Sequence, residues 1–463
     1  MLFNSAIFLF AFLPVTYFVF WALKAKTSRY VWLTLTGYVF YGYWDPKFCL
    51  LMLFSTLVSY TSGLGSLRWG DDPRARKVLL VVPIAVDLAL LGFFKYAGMT
   101  VESVNWAFRA WSGHAPLEPV NVILPVGISF YTFHTITYIV DSYRRQIVPT
   151  RNFFEFACYV SLFSQLVAGP IVRFSELQED LDRIDTRDRR QYVDLGWSFF
   201  AIGLTQKMLI ADTLSAVIDP AFADVPSLSS AGAWLCMLGY TYQLYFDFAG
   251  YSNMAVGLGY LFGMHIPRNF NSPYRALNPA DFWRRWHISL SRCLRDYLYI
   301  PLGGNRGSAA RTYRNLMVTM LLGGLWHGAA WTFVVWGAYH GLLLAAYRRW
   351  PRVWDGRPEW FQRAFTFLLV VFGWTFFRAA RWSDAPALIG RMLVPHGGRP
   401  VTGTPLLVAT IAVAGAVAHL APNTFEIPHR WRPAGAAALT ALVVLCLAGI
   451  YGGQVSPFLY FQF

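Results

Sequence analysis

The sequence predicts an all-α polytopic membrane protein, on three observations. Of its 463 residues, 56% are hydrophobic and 18% aromatic, and only 14% are charged; a soluble domain carries roughly a quarter charged residues. Apolar windows long enough to cross a bilayer, about 18 residues or more, recur from end to end. A transmembrane barrel would instead alternate apolar and polar residues in ten-residue segments, and no such pattern is sustained.

The spans fall at 4–22, 30–43, 48–66, 78–96, 121–141, 153–171, 193–211, 232–263, 315–346, 364–378, 405–420 and 436–452. The opening MLFNSAIFLFAFLPVTYFVFWALKAK lacks a basic leader and a small-residue cleavage site, so it is expected to be a retained first span. Basic loops follow at 24–29, 68–77, 144–151, 173–190, 268–314, 348–363 and 430–432. With the N-terminus outside, the first three of these loops are cytoplasmic by the positive-inside rule. A simple count of crossings then places 173–190 outside, against that rule. The conflict vanishes if YVSLFSQLVAGPIVRF (159–174) dips in and returns, with the break at Gly169–Pro170; non-helical backbone is tolerated at depth when protein buries it. Segment 315–346 is too long for one crossing and reads as two short, glycine-punctuated halves. No linker and no repeat of fixed period is evident, so one membrane-embedded domain over 1–463 is expected.

The net charge of +14 would suggest nucleic acid in a soluble chain. Here Lys and Arg cluster between apolar spans, where they orient the protein and meet anionic lipid or ligand, so no nucleic-acid partner is expected. The cysteines Cys49, Cys158, Cys236, Cys293 and Cys446 lack CxxC spacing and read as small core residues. No HExxH or Cys/His cluster occurs, and no metal site is expected.

Chemistry concentrates in two segments. RNFNSPYRALNPADFWRRWHISLSRCLRDYLYIPLGGNRGS (268–308) interleaves arginines with aromatic residues. Helical spacing over 279–299 puts Trp283, Trp286, Leu290 and Leu294 on one face, with Arg284, Arg285, Arg292 and Arg295 largely elsewhere. Two readings stand: an amphipathic helix at the cytoplasmic interface, or a basic vestibule for a phosphorylated acyl carrier, which Arg holds bidentately. His287 lies within it, and a lone histidine of this kind is more often packed than catalytic. The second segment, LLGGLWHGAAWTFVVWGAYHG (321–341), carries His327 and His340 in an apolar setting. Glycines before and after His327 let backbone or substrate approach closely. Burial would keep its imidazole neutral, as a general base near pH 7 requires, and intramembrane ionisable residues are functional candidates by default. Asp247, Gln243, Asn253, His134, Asp141 and Gln165 are the other polar groups within apolar spans. Asp247 is expected to pair with an arginine of 268–308, because a buried carboxylate needs a partner.

DFWRRWHISLSRCLRDYLYIPLGGNR followed by MLLGGLWHGAAWTFVVWGAYHG resembles the paired signature of the membrane-bound O-acyltransferases, nearest to the bacterial branch that acetylates exopolysaccharides such as alginate. LPVGISFYTFHTITYIVDSYR, LFSQLVAGPIVRF, YQLYFDFAGYSNMAVGLGYLFG and the closing FLYFQF are similar to that branch too, so the resemblance spans essentially the whole chain. It implies a ring of about 11–13 membrane helices with re-entrant segments around a central tunnel. It marks His327, in the WHG motif, as the essential catalytic residue and His287 as the second. Arg284, Arg285, Trp286, Asp296, Trp326 and Trp331 are then the candidate substrate-binding residues. It further implies acetyl-CoA or a related acyl thioester as donor with no bound cofactor. The setting is the bacterial cytoplasmic (inner) membrane, and the partner an extracytoplasmic acetyltransferase that places the acetyl group on the polysaccharide. D-alanyl or other acyl transfer to a cell-wall polymer, a transporter or flippase of polymer export, and a structural subunit are the competing readings.

Overall fold

A computed structural model describes residues 1–429, 431–453 and 458–459, and among these the architecture is all-helical, without a strand. Arg430 and the last four residues of FLYFQF lie outside the described residues. Among the described residues, five helices are long and apolar enough to cross a membrane: Lys47–Trp69, Pro73–Ser112, Val193–Phe222, Glu359–Arg378 and Pro433–Tyr451. Shorter apolar helices run over Phe8–Ala22 and Thr404–His419. Pro433–Tyr451 exposes Val444 and Leu445 and buries Cys446. An apolar helix exposed on most of its surface is stable where its solvent is hydrocarbon.

The chain forms two compact units, Met1–Gly196 with Leu258–Pro267, and Trp197–Gly257 with Arg268–Phe463. In the first, the rings of Phe3, Phe8, Phe12, Phe40 and Phe163 meet at centroid distances of 5.1 to 6.4 Å. The helix expected from 121 begins only at Ile128, because Gly127 is left-handed (φ 78°) and lies so close to Leu166 that a Cβ there would stand 2.7 Å from its carbonyl oxygen. The expected break in 159–174 is present. Helix Phe153–Ser161 stops, one turn covers Phe163–Leu166, and the next helix, Phe174–Asp182, starts after irregular backbone. Residues 156–172 are all buried, and side chains satisfy the freed carbonyls: the Tyr159 hydroxyl donates to Val172 O (3.0 Å) and Gln165 Nε2 to Tyr159 O (2.6 Å).

The second unit is built around Ser230–Leu261, whose part in this unit is buried nearly throughout although it carries Gln243, Asp247 and Asn253. Asp247 does not pair with an arginine of 268–308. Its partner is Lys207, at 2.7 Å, on Val193–Phe222. That helix carries a π-helical turn at Gln206–Asp212, so Lys207 and Asp212, five residues apart, also meet at 2.6 Å. Four of the five cysteines are buried and Cys49 is half-buried, in agreement with their reading as core residues.

Candidate active site

The segment expected to be one helix over 279–299 is two. Asn278 caps α1 (Pro279–Arg285), its side-chain oxygen accepting from the Asp281 N–H at 2.8 Å, with Pro279 at the first helical position. The helix stops because residues 269–271 capture the backbone beyond it. The Asn271 N–H donates to Arg285 O and the Ile288 N–H to Asn269 O, both at 2.9 Å. Trp286 is therefore extended and His287 left-handed, with φ 43° and ψ 55°, before α2 (Ile288–Leu294) begins. Few residues other than glycine adopt that conformation, and where one does it is commonly at a functional site.

Segment 315–346 folds as foreseen into two halves, α3 (Ala309–His327) and α4 (Trp331–Arg349), joined at Gly328–Ala330. The glycines admit backbone. A Cβ on Gly324 would lie 2.2 Å from Phe333 O, and one on Gly337 2.3 Å from Met320 O. The close crossing turns the end of α3 inward and buries His327, its last residue.

His287 and His327, forty residues apart in sequence, meet with ring centroids 6.3 Å apart. Trp326 stands beside both, at 5.9 and 5.0 Å. Trp336 and Phe377 complete the wall around His327, at 5.1 and 5.3 Å, and Phe248 lies edge-on to His287 at 4.7 Å. His287 is fully buried, and its Nδ1 lies 3.1 Å from Asn269 Oδ1. His340 is buried in the adjoining aromatic layer against Trp336, Trp283 and Phe282.

The other candidates are placed differently. Trp286 is 1% exposed, locked between Phe270 and Trp374 at 5.0 and 4.9 Å, and so shapes the site from behind. Trp331 is 57% exposed at the start of α4, and Trp336, one and a half turns on, takes the ring position against His327. Arg285 pairs with Asp281 at 2.9 Å and Arg284 with the same carboxylate at 3.6 Å; Asp296 is held by Arg295 at 2.6 Å. Arg284 remains largely exposed, available to an anionic ligand. Sequence reasoning missed Trp336, Phe377 and Asn269. Trp336 lies in the same quoted segment as His327, but only the turn at 328–330 brings it back.

Comparison with known proteins places these motifs. The family model described as MBOAT, membrane-bound O-acyltransferase family, matches residues 134–381, which include both histidines. A probable alginate O-acetylase of Pseudomonas aeruginosa is 46% identical over 385 residues, covering 82% of this chain and 72% of its own. A probable alginate O-acetylase of Pseudomonas putida is 40% identical over the full length of both chains. A peptidoglycan O-acetyltransferase of Helicobacter pylori is 38% identical, over 86% of this chain and 80% of its own.

Proposed function

The chain belongs to the membrane-bound O-acyltransferase family, and from that premise we propose that it moves an acetyl group from a cytosolic thioester, acetyl-CoA, toward O-acetylation of a secreted polysaccharide of the alginate kind. It is a multi-pass membrane protein and an O-acyltransferase. Acetyl-CoA as donor is taken from the family resemblance, and the observation that supports the proposal is the meeting of two histidines from distant motifs in one buried aromatic site.

The hydroxyl of the acceptor attacks the thioester carbonyl, and His327 takes its proton as general base. The new C–O bond forms, the C–S bond breaks, and the thiol leaves with the proton. General-base assistance supplies roughly 100- to 10,000-fold, and holding the two substrates in register supplies much of the remainder. His287 orients or polarises a reactant, or carries a proton. The aromatic walls exclude water, which would otherwise hydrolyse the thioester. The acetyl group then passes to an extracytoplasmic partner acetyltransferase, in the cytoplasmic membrane of a bacterium.

The test is single-turnover transfer in reconstituted membranes supplied with radiolabelled acetyl-CoA, acceptor and partner. Thioester cleavage by the wild type and its loss, by about 100-fold or more, in His327→Ala of matched expression is the expected result. Unchanged cleavage by that variant removes His327 from the chemistry.

A further inference from the structure

His287 is held by a hydrogen-bond arrangement that determines which of its nitrogens can act. Asn269, 1% exposed, presents its side-chain oxygen to three donors. These are the Ser289 N–H at 3.2 Å, the Ser289 hydroxyl at 2.9 Å and His287 Nδ1 at 3.1 Å. The backbone N–H of Ser289 can only donate, so the atom it meets on Asn269 is the oxygen. The Asn269 NH₂ is turned the other way, 3.3 Å from Ser252 Oγ. A carbonyl oxygen cannot donate, so Nδ1 of His287 must carry the proton. In the neutral imidazole Nε2 then has none. Nε2 is buried and has no hydrogen-bond partner among the described residues. The backbone contributes to the same end: the left-handed turn at His287 and the Ile288 N–H bond to Asn269 O bring residues 269 and 287–289 into register.

We infer that Asn269 is a positioning residue that fixes His287 as the Nδ1–H tautomer, so that His287 meets the acyl acceptor through an unprotonated Nε2. This rests on the reading of His287 as part of the active site and chooses among the roles left open for it. An unprotonated nitrogen accepts a hydrogen bond from an O–H group, so it can orient the acceptor or relay a proton on its way to His327; it cannot donate to the thioester carbonyl. His287 therefore works on the hydroxyl substrate. Stabilising the oxyanion falls to other donors.

Full-length protein labelled with ¹⁵N-histidine in lipid bilayers is the material for the test, with His287→Ala identifying the signal. The expected spectrum shows His287 with protonated Nδ1 and bare Nε2 in the wild type and in Asn269→Asp, whose carboxylate still accepts. In Asn269→Leu the tautomers mix. Steady-state transfer gives the second readout: Asn269→Leu lowers kcat about 10- to 100-fold, by analogy with the loss of hydrogen-bond partners from metal-ligating histidines, and Asn269→Asp largely restores it. A wild-type spectrum with Nε2 protonated overturns the inference, as does full kcat in Asn269→Leu. His287→Ala separates the two claims. If it keeps full activity, the role of His287 in catalysis fails; if it is inactive while Asn269→Leu is unimpaired, only the role of Asn269 fails.

Discussion

Lys207 lies buried between two carboxylates, Asp212 and Asp247, in a segment of high hydropathy. Removing one member of such a group leaves an uncompensated charge in a low dielectric, at a cost of about 3–5 kcal/mol. Lys207→Met is therefore expected to lower the thermal midpoint sharply in detergent. Lys207→Met with Asp212→Asn and Asp247→Asn should recover most of the loss, as fluorescence-detected size exclusion after heating would show. Asp180 is another buried carboxylate, near the end of Phe174–Asp182. Burial pushes its pKa up, but hydrogen bonds from the His265 ring and backbone N–H, with the charge of Arg187, outweigh burial and hold it below the ordinary 3.8. A depressed carboxylate stabilises the fold above its unfolded value, and the contribution is lost as pH falls through the folded one. Asp180→Asn should thus cost about 1–3 kcal/mol at neutral pH, and the gap to wild type should close in acid below 3.8. Thermal melts across pH check the sign. Neither pairing was legible in the sequence. Asp247 stood out as an intramembrane acid in need of a partner, but Lys207, forty positions earlier near the end of the span 193–211, resembles an end-of-span lysine that reaches for water until the π-helical turn points it inward.

Among the elements, the hairpin of α3 and α4 was the most legible and α1–α2 the least. An apolar run over 315–346 exceeds one crossing, and its central glycines announce a turn; both are local signals. The break between α1 and α2 has no local cause. Sequence 279–299 keeps helical spacing throughout, and the interruption comes from residues 269–271, whose backbone competes for Arg285 and Ile288. Long-range hydrogen bonds of this sort are invisible to periodicity. The hairpin also yields a prediction. Gly324→Ala and Gly337→Ala each force a methyl group to within 2.3 Å of a facing carbonyl oxygen. Each should cost about 1–3 kcal/mol through overpacking and reduce transfer by moving His327, whereas Gly390→Ala, where a Cβ meets nothing within 4 Å, should do neither. Activity per folded molecule separates displacement of the site from loss of protein.

For the whole molecule, composition and charge were the most informative features. An excess of 14 positive charges placed between apolar segments reads directly as a multi-pass protein with basic loops on one side. The family followed from the two long motifs, and the histidine pair with it. The aromatic wall did not follow, because in a chain with 19 tryptophans and 38 phenylalanines no single ring is conspicuous. The topology has a direct test. Single cysteines replacing exposed Lys24, Arg190 and Arg284, in a background lacking the native five, are expected to react with a membrane-impermeant maleimide only in inverted vesicles. Labelling of Arg190→Cys in right-side-out cells would place the 173–190 loop outside and undo the re-entrant reading of 159–174.

The left-handed backbone at His287 has a consequence for the protein's history and for its engineering. With His287 in the role proposed for it, the position sets durability against turnover. A residue with a Cβ at φ 43° costs roughly 1 kcal/mol or more relative to glycine. His287→Gly should therefore be inactive and yet outlast His287→Ala on heating. With His287 in that proposed role, a selection for heat tolerance alone would favour glycine there at the expense of activity.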